Sequence, residues 1–400
     1  MNPSDDTMRA LPALIAGFVL ALVLTLVATP VVRRYARRYR MVDRPEARRV
    51  NTRVVARGGG IAIALGFLAV SILMLALNVE LKFVDEPEGV GSMRIAGLLG
   101  GGILAVGIGL LDDVYQLRAR YQLVGQFALA AFAIVLGIQV TVVNWPFSSD
   151  STLPLTGGLT AVAVVATFIW VVGMVNSINF IDGLDGLSTG IALIAAVTLG
   201  IISLITSPEQ PFIALFCFIL AGALAGFLRW NFHPASIFSG TSGIMFVGYT
   251  LAVLSILGTA KVAVAALVLG VPIMDTFWII VRRVSSRRSP FAPDRGHIHH
   301  RLLDLGLSHR GTVLLIYGAC ILLAGLSLRL SYTGQMYALM GLVVLFGLAL
   351  LLIERLGPGG AAIGESLDAD SYGPPEPAAT DSSEPPEGLG LKDATGHLIK

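Results

Sequence analysis

Eleven apolar segments, each close to the length that a helix needs to cross a bilayer, constrain this chain of 400 residues more than any other feature. A helix crosses the hydrocarbon with about 20 apolar residues. Backbone groups in lipid must be hydrogen-bonded within the protein, and these segments lack the alternation of barrel strands, so we predict helices. The predicted fold is therefore an all-α integral membrane protein with about eleven transmembrane helices. The predicted segments are 11–32, 59–78, 95–111, 123–143, 158–176, 187–206, 211–228, 242–259, 262–281, 312–330 and 335–353.

The composition excludes a soluble globular protein. Hydrophobic residues make up 55% of the chain and charged residues only 14%, whereas soluble domains carry about 25% charged residues. The two cysteines, Cys217 and Cys320, lie inside apolar segments, so we interpret them as small core residues rather than as a disulfide or a metal pair. We expect no nucleic-acid partner.

The arginines are concentrated in the loops that follow the first and the ninth segment. Positively charged loops stay in the cytoplasm, which predicts an external N-terminus and a cytoplasmic C-terminus. Residues 357–400 are rich in Pro, Gly, Ser, Glu and Asp and have no periodic apolar pattern. We therefore divide the chain into a polytopic membrane domain, 1–356, and a disordered cytoplasmic tail, 357–400.

The polar clusters of the sequence all follow odd-numbered segments, so each is expected on the cytoplasmic side. An ionised carboxylate next to hydrocarbon costs several kcal/mol unless it is paired, wetted or bound to metal. Asp112 and Asp113 end an apolar segment directly. A plain membrane-edge cap would explain one such aspartate, but two adjacent ones repel each other. A shared active site explains the common side of all the clusters.

The most specific cluster is a run of polar residues at every third position: Asn176, Asn179, Asp182 and Asp185. On an ideal helix only neighbouring members of this run would share a face. A polar linker with helix caps is the alternative interpretation. Grouped carboxylates need a cation, and Mg²⁺ typically binds one or two carboxylates together with substrate phosphates. The run therefore indicates phosphate chemistry.

Three histidines, His297, His299 and His300, lie within four residues in a loop dense with arginine. Such a group indicates either a metal site or an anion-binding edge. Zinc is the weaker alternative because no cysteine or further ligand spacing supports it. The flanking Arg295 and Arg301 favour phosphate binding.

Four motifs in four separate loops can be compared with known families. They are the Asp112-Asp113 pair, the Asn-x-x-Asn-x-x-Asp-Gly-Leu-Asp-Gly-Leu run at 176–187, Pro272-x-x-Asp275, and Ser-Pro-Phe-Ala-Pro-Asp-Arg-Gly-His-Ile-His-His-Arg-Leu at 289–302. Together they resemble the polyprenyl-phosphate N-acetylhexosamine-1-phosphate transferases. The last motif is more similar to the undecaprenyl-phosphate N-acetylglucosamine-1-phosphate transferase branch than to the phospho-N-acetylmuramoyl-pentapeptide branch.

The resemblance covers about residues 12–355 and implies transfer of N-acetylhexosamine-1-phosphate from a UDP-sugar to polyprenyl phosphate, with release of UMP. It implies Mg²⁺, with Mn²⁺ as an alternative, and a cytoplasmic site in the cell membrane, at the first membrane step of cell-wall or surface polysaccharide synthesis. A homodimer stays open. The implied catalytic residues are Asp112, Asp113, Asp182, His297, His299 and His300; the substrate-binding residues are Asn176, Asn179, Asp185, Arg49, Arg295 and Arg301; the metal ligands are Asp112, Asp113, Asp182, Asn179 and Thr241.

The chain departs from the family pattern at four positions. Thr241 stands where the family usually has an aspartate that binds metal, and Asn51, Gln116 and Gln122 replace a usual histidine, acid and lysine. Two other functions therefore stay open: a catalytically silent relative that acts as a membrane scaffold, and an ion-coupled transporter, which would place acids near the bilayer centre. We expect Asp275 to be the partner of a buried polar group.

Overall fold

The computed structural model describes residues 5–43, 54–87, 90–144, 152–258, 262–285 and 297–356. By its internal contacts the chain divides into two units, 1–353 and 354–400, and the second is described only at 354–356. The predicted tail, Arg49, Asn51 and Arg295 lie outside the described residues. The helices are α1 (Asp5–Arg38), α2 (Gly60–Leu81), α3 (Ser92–Tyr115), α4 (Ala119–Val135), α5 (Thr160–Ile181), α6 (Leu187–Ile205), α7 (Pro211–Asn231), α8 (Gly240–Leu257), α9 (Val262–Val268), α10 (Gly270–Ser285), α11 (Ile298–Asp304), α12 (His309–Arg329) and α13 (Tyr332–Leu356).

Two short antiparallel hairpins connect helices in the described chain. Strand β1 (Val42–Asp43) pairs with β2 (Val55–Ala56), and β3 (Val142–Asn144) pairs with β4 (Thr152–Pro154). A parallel bridge from Ala56 to Ile237 ties the first hairpin to the connection between α7 and α8.

The helices confirm a multi-pass membrane protein. Among the described residues, eight helices are long and apolar enough to cross a bilayer: α1, α2, α3, α5, α6, α7, α8 and α12. Helices α9 and α10 meet at an angle of 77°, and they make a ninth if they cross as one broken span. The apolar parts of α4 and α13 are shorter, at Ala119–Val135 and Thr333–Leu348. The expected count of eleven is therefore not reached by length and composition.

The fourth predicted segment, 123–143, shows why the count differs. Helix α4 ends at Val135, and Gly137 then adopts a left-handed conformation with φ of +77°. The chain continues into β3 rather than into further helix. Gly supplies this conformation without steric cost, so an apolar run that reads as one span is divided between a helix and a strand.

Helices α7 and α8 form the centre of the bundle. About 94% of the apolar window of α8 is buried inside the protein, whereas only 28% is buried in the span that contains α5. The peripheral helices α1, α5 and α12 therefore present apolar side chains outward, as lipid contact requires. Both cysteines are buried and neither belongs to a disulfide, which confirms that they are core residues.

Helices α3 and α8 approach closely because glycine stands at their contact. A Cβ atom added to Gly109 would lie 2.6 Å from the carbonyl oxygen of Thr241 and would also meet the backbone of Ser242. No side chain fits between these helices at the level of Gly109. The last turn of α3, with Asp112 and Asp113, consequently lies directly against the first turn of α8.

This contact generates a prediction. We expect Gly109→Ala to destabilise the protein by about 1–3 kcal/mol, the usual cost of overpacking, because the obstructing atoms belong to backbone. Gly107→Ala on the same helix is the matched control, since a Cβ there meets nothing within 4 Å. Melting temperatures of both variants in detergent measure the difference. Equal melting temperatures for the two variants would contradict the close contact.

Candidate active site

Asp113 caps the first turn of α8. Its Oδ1 accepts a hydrogen bond from the Thr241 N–H at 2.7 Å, and its Oδ2 accepts from the Ser242 N–H at 3.1 Å and the Ser242 hydroxyl at 2.7 Å. The first N–H groups of a helix have no partner within the helix, and a carboxylate is favoured there. Gly240 permits the approach, because it has φ of +70° and a Cβ on it would lie 2.7 Å from Asp113 Oδ1.

Asp112 joins three elements at the same end of the helices. Its Oδ1 accepts from the Leu117 N–H at 3.0 Å and from Gln122 Nε2 at 2.9 Å, while its Oδ2 accepts from the Thr241 hydroxyl. Both aspartates are almost fully buried, with exposed fractions of 2% for Asp112 and 4% for Asp113. The pair therefore holds α3, α4 and α8 together through its hydrogen bonds.

Arg57 supplies the positive charge of this pair. Its Nε lies 2.9 Å from Asp113 Oδ1, and its Nη2 lies 3.9 Å from Asp112 Oδ2 and donates to the Thr241 hydroxyl oxygen at 3.0 Å. Arg57 could not be predicted as a site residue from the sequence, because it is one of many arginines in the first basic loop. The β1–β2 hairpin and its bridge to Ile237 place it.

Asp182 stands just after the end of α5. Its Oδ1 accepts from the Ser188 hydroxyl, and its Oδ2 accepts from the Ser239 hydroxyl at 2.9 Å. Burial raises the pKa of Asp182 to about 6, against the opposing effect of these hydrogen bonds and of the Arg57 charge. A carboxylate offers about four acceptor positions, so about two remain open on Asp182.

Asp185 forms a cluster with two histidines that the sequence analysis did not single out. His233 Nδ1 donates to Asp185 Oδ2 at 2.8 Å, the Ala235 N–H donates to the same oxygen at 3.0 Å, and the Asp185 N–H donates to His309 Nε2 at 3.0 Å. The three possible ligand atoms of Asp185, His233 and His309 lie within 4.8 Å of one another. One carboxylate and two imidazoles suit a transition metal better than Mg²⁺.

His297 is oriented by Asp275 of α10. Its Nδ1 donates to Asp275 Oδ2 at 2.7 Å, and the Ile298 N–H donates to Asp275 Oδ1 at 2.9 Å. Asp275 is 1% exposed, so the expectation that it partners a buried polar group is confirmed. The same carboxylate fixes the start of α11.

His299 packs on the turn between Asp182 and Asp185. A Cβ atom on Gly183 would collide with His299 Nε2. His299 is 1% exposed, and neither of its ring nitrogens has a hydrogen-bond partner in the described parts of the chain. Burial and the neighbouring His300, His297 and His309 lower the pKa of His299 well below its ordinary value. These surroundings favour the neutral ring, which carries one N–H.

The two asparagines of the 176–187 run have different surroundings. Asn176 Nδ2 donates to Gln126 Oε1 at 2.6 Å and to the Val172 carbonyl at 2.8 Å, so its amide holds α4 against α5. Asn179 is half-buried, and its backbone carbonyl accepts from the Asp182 N–H at 3.3 Å. The regular spacing thus divides between a helix contact and a turn. Arg301 is half-buried in α11.

The connection from α7 into α8 brings the four aspartates together. His233 and Ala235 bind Asp185, Ser239 binds Asp182, and Thr241 binds both members of the aspartate pair. The two aspartate motifs, which are far apart in sequence, therefore meet along one segment, 233–242, at one end of the helices. We call this segment, the four aspartates, Arg57 and the histidine motif 297–300, which packs on Gly183, the polar end.

Two aspartates of the polar end should respond differently to the same substitution. Asp113 accepts from two backbone N–H groups and forms an ion pair with a guanidinium, none of which can become an acceptor, whereas Asp182 accepts from two hydroxyls, which can. We expect Asp113→Asn to destabilise by about 3–5 kcal/mol, the cost of breaking a buried pair, and Asp182→Asn by clearly less. Melting temperatures decide, and equal losses would refute the assignment of Asp113 as the cap of α8.

Comparison with known proteins agrees with the motifs. The profile of glycosyl transferase family 4 matches residues 95–259, from the start of α3 to just beyond the end of α8.

The chain is similar over most of its length to named proteins. It is 34% identical over 282 residues, 69% of this chain and 73% of the relative, to a probable undecaprenyl-phosphate N-acetylglucosaminyl 1-phosphate transferase of Bacillus subtilis. It is 33% identical over 344 residues, 79% and 83% of the two chains, to the decaprenyl-phosphate N-acetylglucosaminephosphotransferase of Mycolicibacterium smegmatis. An undecaprenyl-phosphate alpha-N-acetylglucosaminyl 1-phosphate transferase of Escherichia coli O157:H7 is 26% identical over 329 residues, 78% and 82% of the two chains. With these relatives and the geometry of the polar end, the chain belongs to glycosyl transferase family 4.

Proposed function

We propose that this protein transfers N-acetylglucosamine-1-phosphate from UDP-N-acetylglucosamine to undecaprenyl phosphate or another polyprenyl phosphate and releases UMP. The convergence of four aspartates on one segment at the ends of apolar helices, with His299 packed on the turn between Asp182 and Asp185, carries the proposal. A lipid-borne phosphate reaches protein at that depth. The names of the relatives support the sugar and the carrier.

The reaction joins two anions. An oxygen of the carrier phosphate attacks the phosphorus that bears the sugar, and a new P–O bond forms. The bond from that phosphorus to the UMP oxygen breaks, and its electron pair leaves with UMP. Catalysis of such a step depends on positioning and on positive charge or N–H donors aimed at the phosphate oxygens.

Side chains of the polar end fit this need. The neutral ring of His299 is buried and has an N–H without a partner among the described residues, so it is suited to donate to a phosphate oxygen. Asp275 holds His297 in one orientation beside it, with ring centroids 5.5 Å apart. Asn179, His300 and Arg301 complete the proposed set on the described chain, and Arg49 and Arg295 remain predicted substrate contacts outside it.

The family implies Mg²⁺, which when bound would neutralise the diphosphate and hold its oxygens. Asp182 would hold the ion, because it keeps acceptor positions open among the described residues. Asp185, with His233 and His309 beside it, suits a transition metal such as Mn²⁺ better. The group Asp112, Asp113 and Thr241 does not fit a metal, since protein donors already occupy its oxygens. Mn²⁺ accepts the same oxygen ligands.

The membrane arrangement is also part of the proposal. Described arginines of both basic loops lie at the polar end, Arg57 against Asp113 and Arg310 against the His233 carbonyl. We therefore assign that end to the cytoplasmic face of the cell membrane, with the N-terminus outside and the C-terminus inside. This orientation needs α4, α13 and the bent pair α9–α10 each to cross, which makes eleven crossings. A homodimer remains a prediction on which the reaction does not depend.

The two alternative functions are less favoured. An ion-coupled transporter would place carboxylates near the bilayer centre, whereas the four aspartates lie at or beyond helix ends. A silent scaffold would have no use for a buried histidine that has no hydrogen-bond partner among the described residues and lies beside two aspartates with open acceptor positions there. Activity decides between the scaffold and the enzyme.

The activity test uses purified protein, undecaprenyl phosphate, Mg²⁺ and a panel of labelled UDP-sugars supplied singly. We expect label in lipid and an equal amount of UMP, with UDP-N-acetylglucosamine the best donor. His299→Ala should lower kcat by about 10²-fold, as loss of one preorganised donor does. Arg120→Gln is the control, because Arg120 is exposed and stacks on Tyr121. Absence of both products for every UDP-sugar would leave the scaffold.

Orientation is tested by two cysteine substitutions at exposed aspartates, Asp85→Cys and Asp304→Cys. The native cysteines are buried and provide a low background. In intact cells a membrane-impermeant thiol reagent should label position 85 and spare position 304, since only the first faces outward. Inside-out vesicles should reverse the result. Labelling of position 304 in intact cells would show that the polar end faces outward.

A further inference from the structure

We propose that Arg57 is the built-in cation of the aspartate pair. Its guanidinium lies between Asp112, Asp113 and Thr241, where a divalent ion would otherwise balance the charges. We further propose that its free nitrogen, Nη1, binds a phosphate oxygen of the substrate, a part that rests on the proposed function.

The buried aspartate pair needs a positive charge beside it. Two adjacent carboxylates at 2% and 4% exposure need a counter-charge, because an unpaired buried charge costs several kcal/mol. Among the described residues, Arg57 is the cation within 4 Å of either carboxylate. Gln122 binds Asp112 through a neutral amide and contributes no charge.

The hydroxyl of Thr241 links Arg57 to Asp112. It accepts a hydrogen bond from Arg57 Nη2 and donates one to Asp112 Oδ2. An aspartate at this position would have no proton to donate and would set a third carboxylate against Asp112. A threonine therefore suits a site whose cation is a guanidinium, whereas an aspartate suits a site whose cation is a metal. Thr241 and Arg57 form one unit.

Protein groups already surround the carboxylate of Asp113. Asp113 accepts from the Thr241 N–H, the Ser242 N–H and the Ser242 hydroxyl, and Arg57 Nε forms an ion pair with its Oδ1 at 2.9 Å. Four protein groups therefore surround a carboxylate that offers about four acceptor positions. A metal ion on Asp113 would have to displace either the guanidinium or the cap of α8. Removal of the guanidinium would expose three oxygens facing one space: Asp113 Oδ1, Asp112 Oδ2 and the Thr241 hydroxyl.

One edge of the Arg57 guanidinium, at Nη1, does not face the aspartate pair. The Arg57 side chain is 25% exposed, and its Nη1 has no hydrogen-bond partner in the described parts of the chain. Its charge also acts on Asp182. The aspartate pair holds the guanidinium in place, so its remaining N–H donors are oriented before substrate arrives. Guanidinium groups bind phosphate oxygens well because of their fixed planar geometry.

The experiment replaces the cation. The full chain is purified in detergent as wild type, Arg57→Ala, Arg57→Lys and the control Arg120→Gln, and each is melted with and without Mg²⁺ in the absence of UDP-sugar. We expect Arg57→Ala to melt below the control and Mg²⁺ to recover part of that loss, because the ion enters the vacated space. Wild type and control should gain less from Mg²⁺. Equal Mg²⁺ responses in all variants, or a wild-type melting temperature for Arg57→Ala, would overturn the proposal.

Arg57→Lys provides the result if Arg57→Ala does not fold. Lysine keeps the charge but cannot bridge Asp113 and Thr241, so Arg57→Lys should melt between the wild type and any neutral variant that folds. In the double variant Arg57→Lys with Thr241→Asp, the melting temperature should rise with Mg²⁺. A double variant that ignores Mg²⁺ would overturn the cation role.

The substrate role has a separate readout. Arg57→Lys should raise the KM for UDP-N-acetylglucosamine by about tenfold, the equivalent of one hydrogen bond to a charged group, and should weaken protection by UMP in the melting assay. Unchanged KM and unchanged UMP protection would overturn this half. If no UDP-sugar is turned over, the proposed function fails, but the Mg²⁺ melting results still decide whether Arg57 is the resident cation.

Discussion

The polar end depends on the contact between Asp113 and the first turn of α8. Two backbone N–H groups, a serine hydroxyl and the Arg57 guanidinium converge on one buried carboxylate. This contact fixes the position of α8 along α3. It thereby brings the Thr241 hydroxyl within hydrogen-bond distance of Asp112 and the Ser239 hydroxyl within hydrogen-bond distance of Asp182. Loss of the Asp113 charge would release all of these positions together, because a helix end and a cation would lose their partner in the same step.

The segment 233–242 converts separate motifs into one site. It contributes a histidine and an N–H to Asp185, a hydroxyl to Asp182 and a threonine to the aspartate pair. These residues lie where apolar helices end. The aspartates are not equivalent: protein groups surround the carboxylate of Asp113, whereas Asp182 and Asp185 each accept from two protein donors among the described residues. Asp113 therefore has a structural role, and the proposed chemistry depends on Asp182 and Asp185.

Particular residues show how far the sequence could be interpreted. The membrane class, the buried cysteines, the family and a partner for Asp275 follow from composition and motifs and are confirmed. The spacing of Asn176 and Asp182 does not reveal their different surroundings. The Asn176 amide bonds to Gln126 and holds two helices together, whereas the Asp182 side chain lies at the polar end. Arg57 was missed because an arginine in a basic loop has no signal of its own. The fourth span was drawn too long because hydropathy does not record the turn at Gly137.

Sequence by itself determined what the bilayer demands: apolar helices, polar motifs gathered between them, and the residue types of a phosphate site. These are local properties, since length and polarity of each segment decide them. Tertiary structure alone decided which donor meets which carboxylate. That outcome depends on the close approach at Gly109, the left-handed turn at Gly240 and the hairpin that carries Arg57 to Thr241. Hydrogen bonds form only within about 3 Å, and distances between residues nearly two hundred positions apart are set by packing of the whole bundle.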